Sequence, residues 1–254
     1  MVTSIDIEKL SLWDKFIDLL NRIYYFLNFK NRKKLSSFKD KHKGEKCFII
    51  GNGQSLKYED LEQLKYEITM VCNSIIKIFD KLSFTPTYYF SQDATVVKDN
   101  LTYMRNTEGV IKFIYSYFNQ WRYYVKGAIN YISKKEMIGF SDDITRGVYG
   151  GWTVTQSMIQ FAVYMGFSEI YLLGVDFNYA NNNTEINADC YFDKTMFNSK
   201  LNYALPKTEI SLAAFAQSRE YCEQNGIKIY NATRGGKLEV FERINFDDLF
   251  PSYD

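Results

Sequence analysis

The sequence predicts an α/β fold, a Rossmann-like sandwich with a mostly parallel sheet. Three observations lead there: apolar runs of strand length that end on polar residues, stretches of helical periodicity between them, and glycine turns where a run hands over to a helix. The chain has 254 residues, 46% of them hydrophobic and 17% aromatic with only three prolines, so it can bury a sizeable core and does not read as disordered. Residues 1–41 read as an amphipathic helix with a basic linker, and residues 42–254 as a single α/β domain.

At the start of the chain, Leu10, Leu12, Trp13, Phe16, Ile17, Leu20, Ile23, Tyr24 and Leu27 recur at helical spacing, with Asp14, Lys15, Asp18 and Arg22 between them. Lys30, Arg32, Lys33, Lys34, Lys39, Lys41, Lys43 and Lys46 follow, opposed by Asp40 and Glu45. An apolar face next to positive charge suits an anionic membrane surface; packing on the main domain or on a second subunit is the alternative. The first strand, Cys47-Phe48-Ile49-Ile50, stops on Gly51-Asn52-Gly53-Gln54-Ser55. Glycine lets a ligand approach the backbone, and the amides opening a following helix suit a phosphate. The spacing matches neither the dinucleotide fingerprint nor a P-loop, so an ordinary strand-to-helix turn competes with that reading.

A short helix is expected over residues 56–65, a strand over 68–73 and another over 87–93. Polar groups at successive strand ends line the crevice above a parallel sheet. Residues 110–138, rich in Tyr and Phe, resolve only into a strand and then irregular or helical structure. Thr145-Arg146-Gly147-Val148-Tyr149-Gly150-Gly151 reads as a turn, Trp152 to Met165 as a helix closed by Gly166, and Glu169 to Asp176 as a strand with an acid at its carboxyl end. A last helix from about Thr208 to Gly226 precedes a strand over 227–231 and the turn Thr233-Arg234-Gly235-Gly236.

Composition narrows the function. A formal net charge of +1 gives no support to nucleic-acid binding. Cys47, Cys72, Cys190 and Cys222 form no CxxC pair, so neither a zinc site nor a disulfide framework is indicated, and they suit a reducing cytoplasm. No signal peptide and no apolar run of spanning length is seen, so the expected location is the cytoplasm, with the inner face of the cell membrane open to a peripheral protein.

The Phe48–Leu56 run, Cys72-Asn73, Ile144–Tyr149 and Glu169–Phe177 resemble, in order and spacing, the motifs of the bacterial sialyltransferases of glycosyltransferase family 42. They also resemble the related superfamily of motility-associated flagellin glycosyltransferases and 6-hydroxymethylpterin diphosphokinase-like proteins. His42-Lys43-Gly44 and Asn231–Glu239 look closer to that broader group. The resemblance implies that Gly51, Asn52, Gly53 and Ser55 hold the CMP part of a sugar donor, with Gln54 in place of the usual proline. It implies a donor-site role for Asn73 and Gln92, and a second donor loop at Thr145, Arg146 and Gly147. Arg146 departs from the family's Thr-Ser-Gly and adds a cation that could pair with phosphate or a sugar carboxylate, or bridge Asp142 or Asp143. The family tyrosine after Asp-Phe is replaced by Asn178, here also assigned to the donor site, which leaves Tyr179 and Tyr191 as candidate phosphate donors.

The implied reaction is transfer of a sugar from a nucleotide to an acceptor hydroxyl in cell-surface glycan or glycoconjugate assembly, with a CMP-linked nonulosonate as the favoured donor. The partners are then the donor and a glycan acceptor, with a homo-oligomer open. No Asp-x-Asp pair is present, so no metal or other cofactor is expected. The family's catalytic His is missing from Ala204–Glu209, and the only histidine, His42, lies before the first strand, where it reads as a solvent-exposed linker residue. Asp176, at a strand's carboxyl end, is the candidate base, with Asp93, Asp189 and Glu209 behind it. A pterin pyrophosphokinase using Mg-ATP, and a nucleotide-sugar-binding protein without catalysis, are the alternatives.

Overall fold

The computed structural model describes residues 12–116, 123–178 and 186–250, and of Trp13, Asp14, Lys15, Ile17 and Asp18 the backbone alone. Among the described residues eight strands, β1 (Lys46–Ile50), β2 (Thr69–Cys72), β3 (Tyr88–Ser91), β4 (Ile111–Tyr115), β5 (Ile129–Tyr131), β6 (Glu169–Leu173), β7 (Lys228–Asn231) and β8 (Glu242–Arg243), form one sheet in the order β5-β4-β3-β2-β1-β6-β7-β8. Every pairing is parallel. The expected Rossmann-like sandwich is therefore the fold, and its sheet is wholly parallel.

Parallel strands need crossovers, and these cover both faces. On one face lie α3 (Tyr58–Gln63), a 3-10 segment (Asn73–Lys81) and α4 (Ala94–Asn106); on the other lie α5 (Val154–Tyr164) and α6 (Thr208–Gln224). Side-chain alternation feeds the two cores. Cys47, Ile49, Met70, Cys72, Phe90 and Phe113 pack with Met158, Phe161 and Phe215, while Phe48, Ile50, Val71 and Tyr89 pack with Leu61, Val97 and Met104. Each such buried side chain contributes about 1.5–3 kcal/mol relative to exposure. β5, β8 and α4 had no counterpart in the sequence reading. β5 and β8 are three and two residues long, too short to show a period, and α4 mixes Thr, Val, Lys, Asp and Asn.

Two corrections fall at the amino terminus. The stretch expected as a basic linker contains a helix, α2 (Phe29–Ser36), whose Asn28 cap accepts the Asn31 N–H. With α1 (Leu12–Leu27) it reaches into the main core, where Tyr25, Leu35 and Phe38 are buried. His42 is no exposed linker residue: Nδ1 pairs with Glu45 and Nε2 with the Tyr88 hydroxyl, each at 2.6 Å, and its ring stacks 4.7 Å from Phe167. It does lie at the amino ends of the strands, since the neighbouring Gly44 and Ser168 backbone leads into β1 and β6. Among the described residues no helix is long and apolar enough to cross a membrane.

Candidate functional site

Strand order reverses direction between β1 and β6: the chain builds β2 to β5 on one side of β1 and β7 and β8 beyond β6. Loops leaving the carboxyl ends of two such strands diverge, which opens a crevice where α/β folds hold ligands. Here those loops are Gly51–Ser55 and Gly174–Asn178. They touch backbone to backbone, since the Gly51 N–H donates to Leu173 and the Gly53 N–H to the Gly174 carbonyl at 2.9 Å. A Cβ on Gly53 would lie 2.5 Å from the Asp176 carboxyl carbon, so glycine is required at that place.

Asp176 is 6% exposed and supports the glycine loop from beneath. Its Oδ2 accepts the Ser55 N–H at 2.9 Å, Oδ1 accepts the Ser55 hydroxyl, and the Gln54 N–H also bonds to the carboxylate. Burial pushes this carboxyl above its ordinary range, and the bonds from Ser55 and Gln54 pull the other way without cancelling it. The Asp176 carbonyl in turn accepts from Lys237 N–H at 2.7 Å, so the turn after β7 braces the same point.

Beside this loop two buried acceptors have no partner among the described residues. They are Asn52 Oδ1, after β1, and Asn73 Oδ1, after β2. Buried amide oxygens are almost always hydrogen-bonded, and these two stand at neighbouring strand ends; among the described residues Asn100, inside α4, also leaves its buried amide without a partner. Asn73 also holds a left-handed backbone at φ 55°, as do Phe177 at 53° and Trp152 at 59°. Three of the four non-glycine residues with positive φ among the described residues therefore ring this edge of the sheet, and strain of that kind collects at binding sites.

A strap covers the loop. Phe192 N–H donates to the Asn52 carbonyl at 3.2 Å, and Asp193 takes bonds from the Tyr58 hydroxyl and from Lys81 at 2.6 Å. Burial raises the Asp193 carboxyl, but Lys81, Thr195 and Tyr58 outweigh it and hold the group well below the usual range. Farther along, a mostly buried Lys77–Asp99 pair, 2.5 Å apart, is tied to the strap through the Met196 carbonyl and the Asn198 amide.

These elements fall largely inside a single sequence match. The family model described as 6-hydroxymethylpterin diphosphokinase MptE-like matches residues 20–182, about two thirds of the chain. The chain belongs to that family. No curated protein matches the MptE-like chain in sequence. Among solved structures, it is similar in fold to "Structure of MAf glycosyltransferase from Magnetospirillum magneticum AMB-1", at 14% identity and a TM-score of 0.54. That alignment covers 85% of this chain and 38% of the other, so the MptE-like chain spans well under half the neighbour's length. Both comparisons fall within the superfamily the sequence motifs resemble.

The residues singled out in the sequence separate into groups in the MptE-like chain. Gly51, Asn52, Gly53, Ser55, Asn73 and Asp176 converge at the switch point, and exposed Asn178 follows on the same loop as Asp176. Gln92 stands at the end of β3, two strands away, with its Oε1 taking the Ser157 hydroxyl at 2.5 Å. Asp93 caps α4, accepting the Thr95 and Val96 N–H groups, and burial raises its carboxyl against those bonds. Thr145, Arg146 and Gly147 lie elsewhere, beside the sheet's edge. Val148 bridges Ser133 just past β5, Tyr25 donates to the Thr145 carbonyl, and Arg146 is exposed. β5 is four strands from β1, about 19 Å at roughly 4.8 Å per strand. Tyr191 is half-buried next to Phe192, Asp189 and Glu209 are exposed, and Tyr179 lies outside the described residues.

The sequence did not place two features beside the site. Gly150 and Trp152 lead into α5, whose amino end is capped by Thr153 and stands beside Gln92: a Cβ on Gly150 would come 3.2 Å from Gln92 Nε2. The Gly150-Gly151 pair was the available signal. In the strap over residues 187–203 Asp189 and Tyr191 were singled out as candidates, but its course over the loop gave no signal, because its anchors are isolated polar residues with no periodicity. Among the described residues no group of three His, Cys, Asp or Glu side chains is arranged to hold a metal ion.

Proposed function

We propose that this chain is a nucleotide-sugar transferase that moves a sugar, a CMP-linked nonulosonate in the first instance, onto the hydroxyl of a cell-surface glycan or glycoconjugate. The observation that carries the reading is the pair of orphaned amide oxygens on Asn52 and Asn73 beside the glycine loop at the switch point. Such acceptors suit the hydroxyl and amino donors of a nucleoside, while the positive amino end of α5 suits its phosphate. The fold neighbour's description as a glycosyltransferase lends further support.

In this reading the acceptor oxygen attacks the anomeric carbon, the bond from that carbon to the phosphate oxygen breaks, and the nucleotide leaves with the bonding pair. The positive amino end of α5 stabilises the departing charge. The acceptor's proton goes to a carboxylate, and we assign that role to Asp93 in preference to Asp176. Burial raises both carboxyls, which makes either a stronger base than a free carboxylate, but both oxygens of Asp176 are engaged in holding the loop. Arg146 receives no part in donor binding.

Titration calorimetry with CMP, UDP and ATP, with and without EDTA, tests the reading, followed by turnover with the matching sugar donors. CMP binding that survives EDTA is expected. A preference for ATP with strict magnesium dependence would favour the pterin diphosphokinase activity that the family's description carries. Tight donor binding without turnover would leave a non-catalytic binding protein.

A further inference from the structure

Helix α1 is mounted with its polar side inward. Asn21 donates to the Ser116 carbonyl at 2.8 Å, Arg22 to the Ser133 carbonyl at 3.1 Å, and buried Tyr25 to the Thr145 carbonyl at 3.3 Å. These contacts fix the rotation of the helix about its axis. Leu12, Leu19, Leu20, Ile23, Tyr24 and Leu27, at helical spacing, then share the opposite face, where each is between 44% and 87% exposed. A helix that serves a core does the reverse, so this stripe needs a partner the described residues do not supply.

Charge indicates which partner. α2 follows directly and exposes Lys30, Lys33 and Lys34, and residues 29–39 contain no acid. A second copy meeting this face about a two-fold axis would bring its own basic helix to the same interface, with no acid in that stretch to pair with it. An anionic lipid surface satisfies both properties at once. Acyl chains take the leucines and headgroups take the lysines, as for a helix lying in the plane of a bilayer.

We propose that the outward face of α1, together with the lysines of α2, docks this chain peripherally on an anionic bilayer. The inference is independent of the nucleotide site. Flotation of the full chain with vesicles of phosphatidylcholine alone, or mixed with phosphatidylglycerol, tests it. Flotation is expected only with the anionic vesicles and should fall at high salt. The triple variant Leu19→Gln, Ile23→Gln, Leu27→Gln and the triple variant Lys30→Ser, Lys33→Ser, Lys34→Ser should each lower partitioning about tenfold or more. The lysine variant changes only exposed side chains, so it keeps the test readable should the apolar variant fail to fold. Absence of wild-type flotation, undiminished flotation of the lysine variant, or a dimer in sedimentation that the apolar variant abolishes while lipid binding is missing, would each overturn the proposal.

Discussion

At the amino ends of the strands, His42 is held between Glu45 and Tyr88 and stacked on Phe167, while Asp40, His42 and Gly44 donate their N–H groups to the carbonyls of Tyr164, Met165 and Gly166. At the carboxyl ends, Asn52 and Asn73 bury amide oxygens that meet no donor among the described residues, and Asp176 is spent on shaping a loop. Both regions bury polar groups at the rim of one sheet. The first pairs its histidine within the chain and so reads as structural; the second leaves hydrogen-bonding capacity over, and that surplus is available to a ligand.

The difference can be broken most forcefully at Asp176. Asp176→Ala strips the Ser55 N–H, the Ser55 hydroxyl and the Gln54 N–H of their acceptor, and should cost about 3 kcal/mol of stability together with nucleotide binding. Urea unfolding and calorimetry read the two losses, and an unaltered loop affinity would show that the carboxylate does not shape the site. Asn73→Gly sharpens the comparison further. Glycine accepts the left-handed backbone at φ 55° without strain, so stability should hold while the missing amide lowers nucleotide affinity by about 1–3 kcal/mol. Equal affinity in that variant would mean the orphaned oxygen has no ligand to meet.

The opposite end should give the reverse signature. His42→Ala removes two hydrogen bonds and a stacked ring, so a stability loss of about 1–2 kcal/mol is expected with nucleotide affinity unchanged. A fall in affinity there would erase the distinction between the two ends. Arg146→Ala should do least, within about 0.5 kcal/mol in stability and affinity alike, because the side chain is exposed at the β5 edge. A large loss of binding to charged donors would restore the role that motif order gave it.

Much of the site's first half could be read from residues alone. Gly51-Asn52-Gly53 at the end of an apolar run announces a strand handing over to a loop, and Asp176 shows itself as an acid closing another such run. Thr145-Arg146-Gly147 was equally legible as a turn, yet a turn's sequence does not say beside which strand it will lie. Asp93 illustrates a further limit. Its place at the end of β3 is readable, whereas its raised carboxyl follows from burial, which depends on chains packed around it from elsewhere.

The sequence by itself determined the class of fold, the order of its main elements and the glycine loop, because each is written in short-range periodicity and turn chemistry, and the order of its motifs carried the resemblance to the superfamily. Tertiary structure alone decided that β1 and β6 are neighbours, and therefore that Ser55 meets Asp176 across 121 positions of chain. It also decided that α1 turns its apolar side outward, since that depends on three hydrogen bonds to residues about a hundred positions away. Strand order and helix rotation are set by long-range contacts, and no local pattern encodes which distant partner a strand end or a helix face will meet.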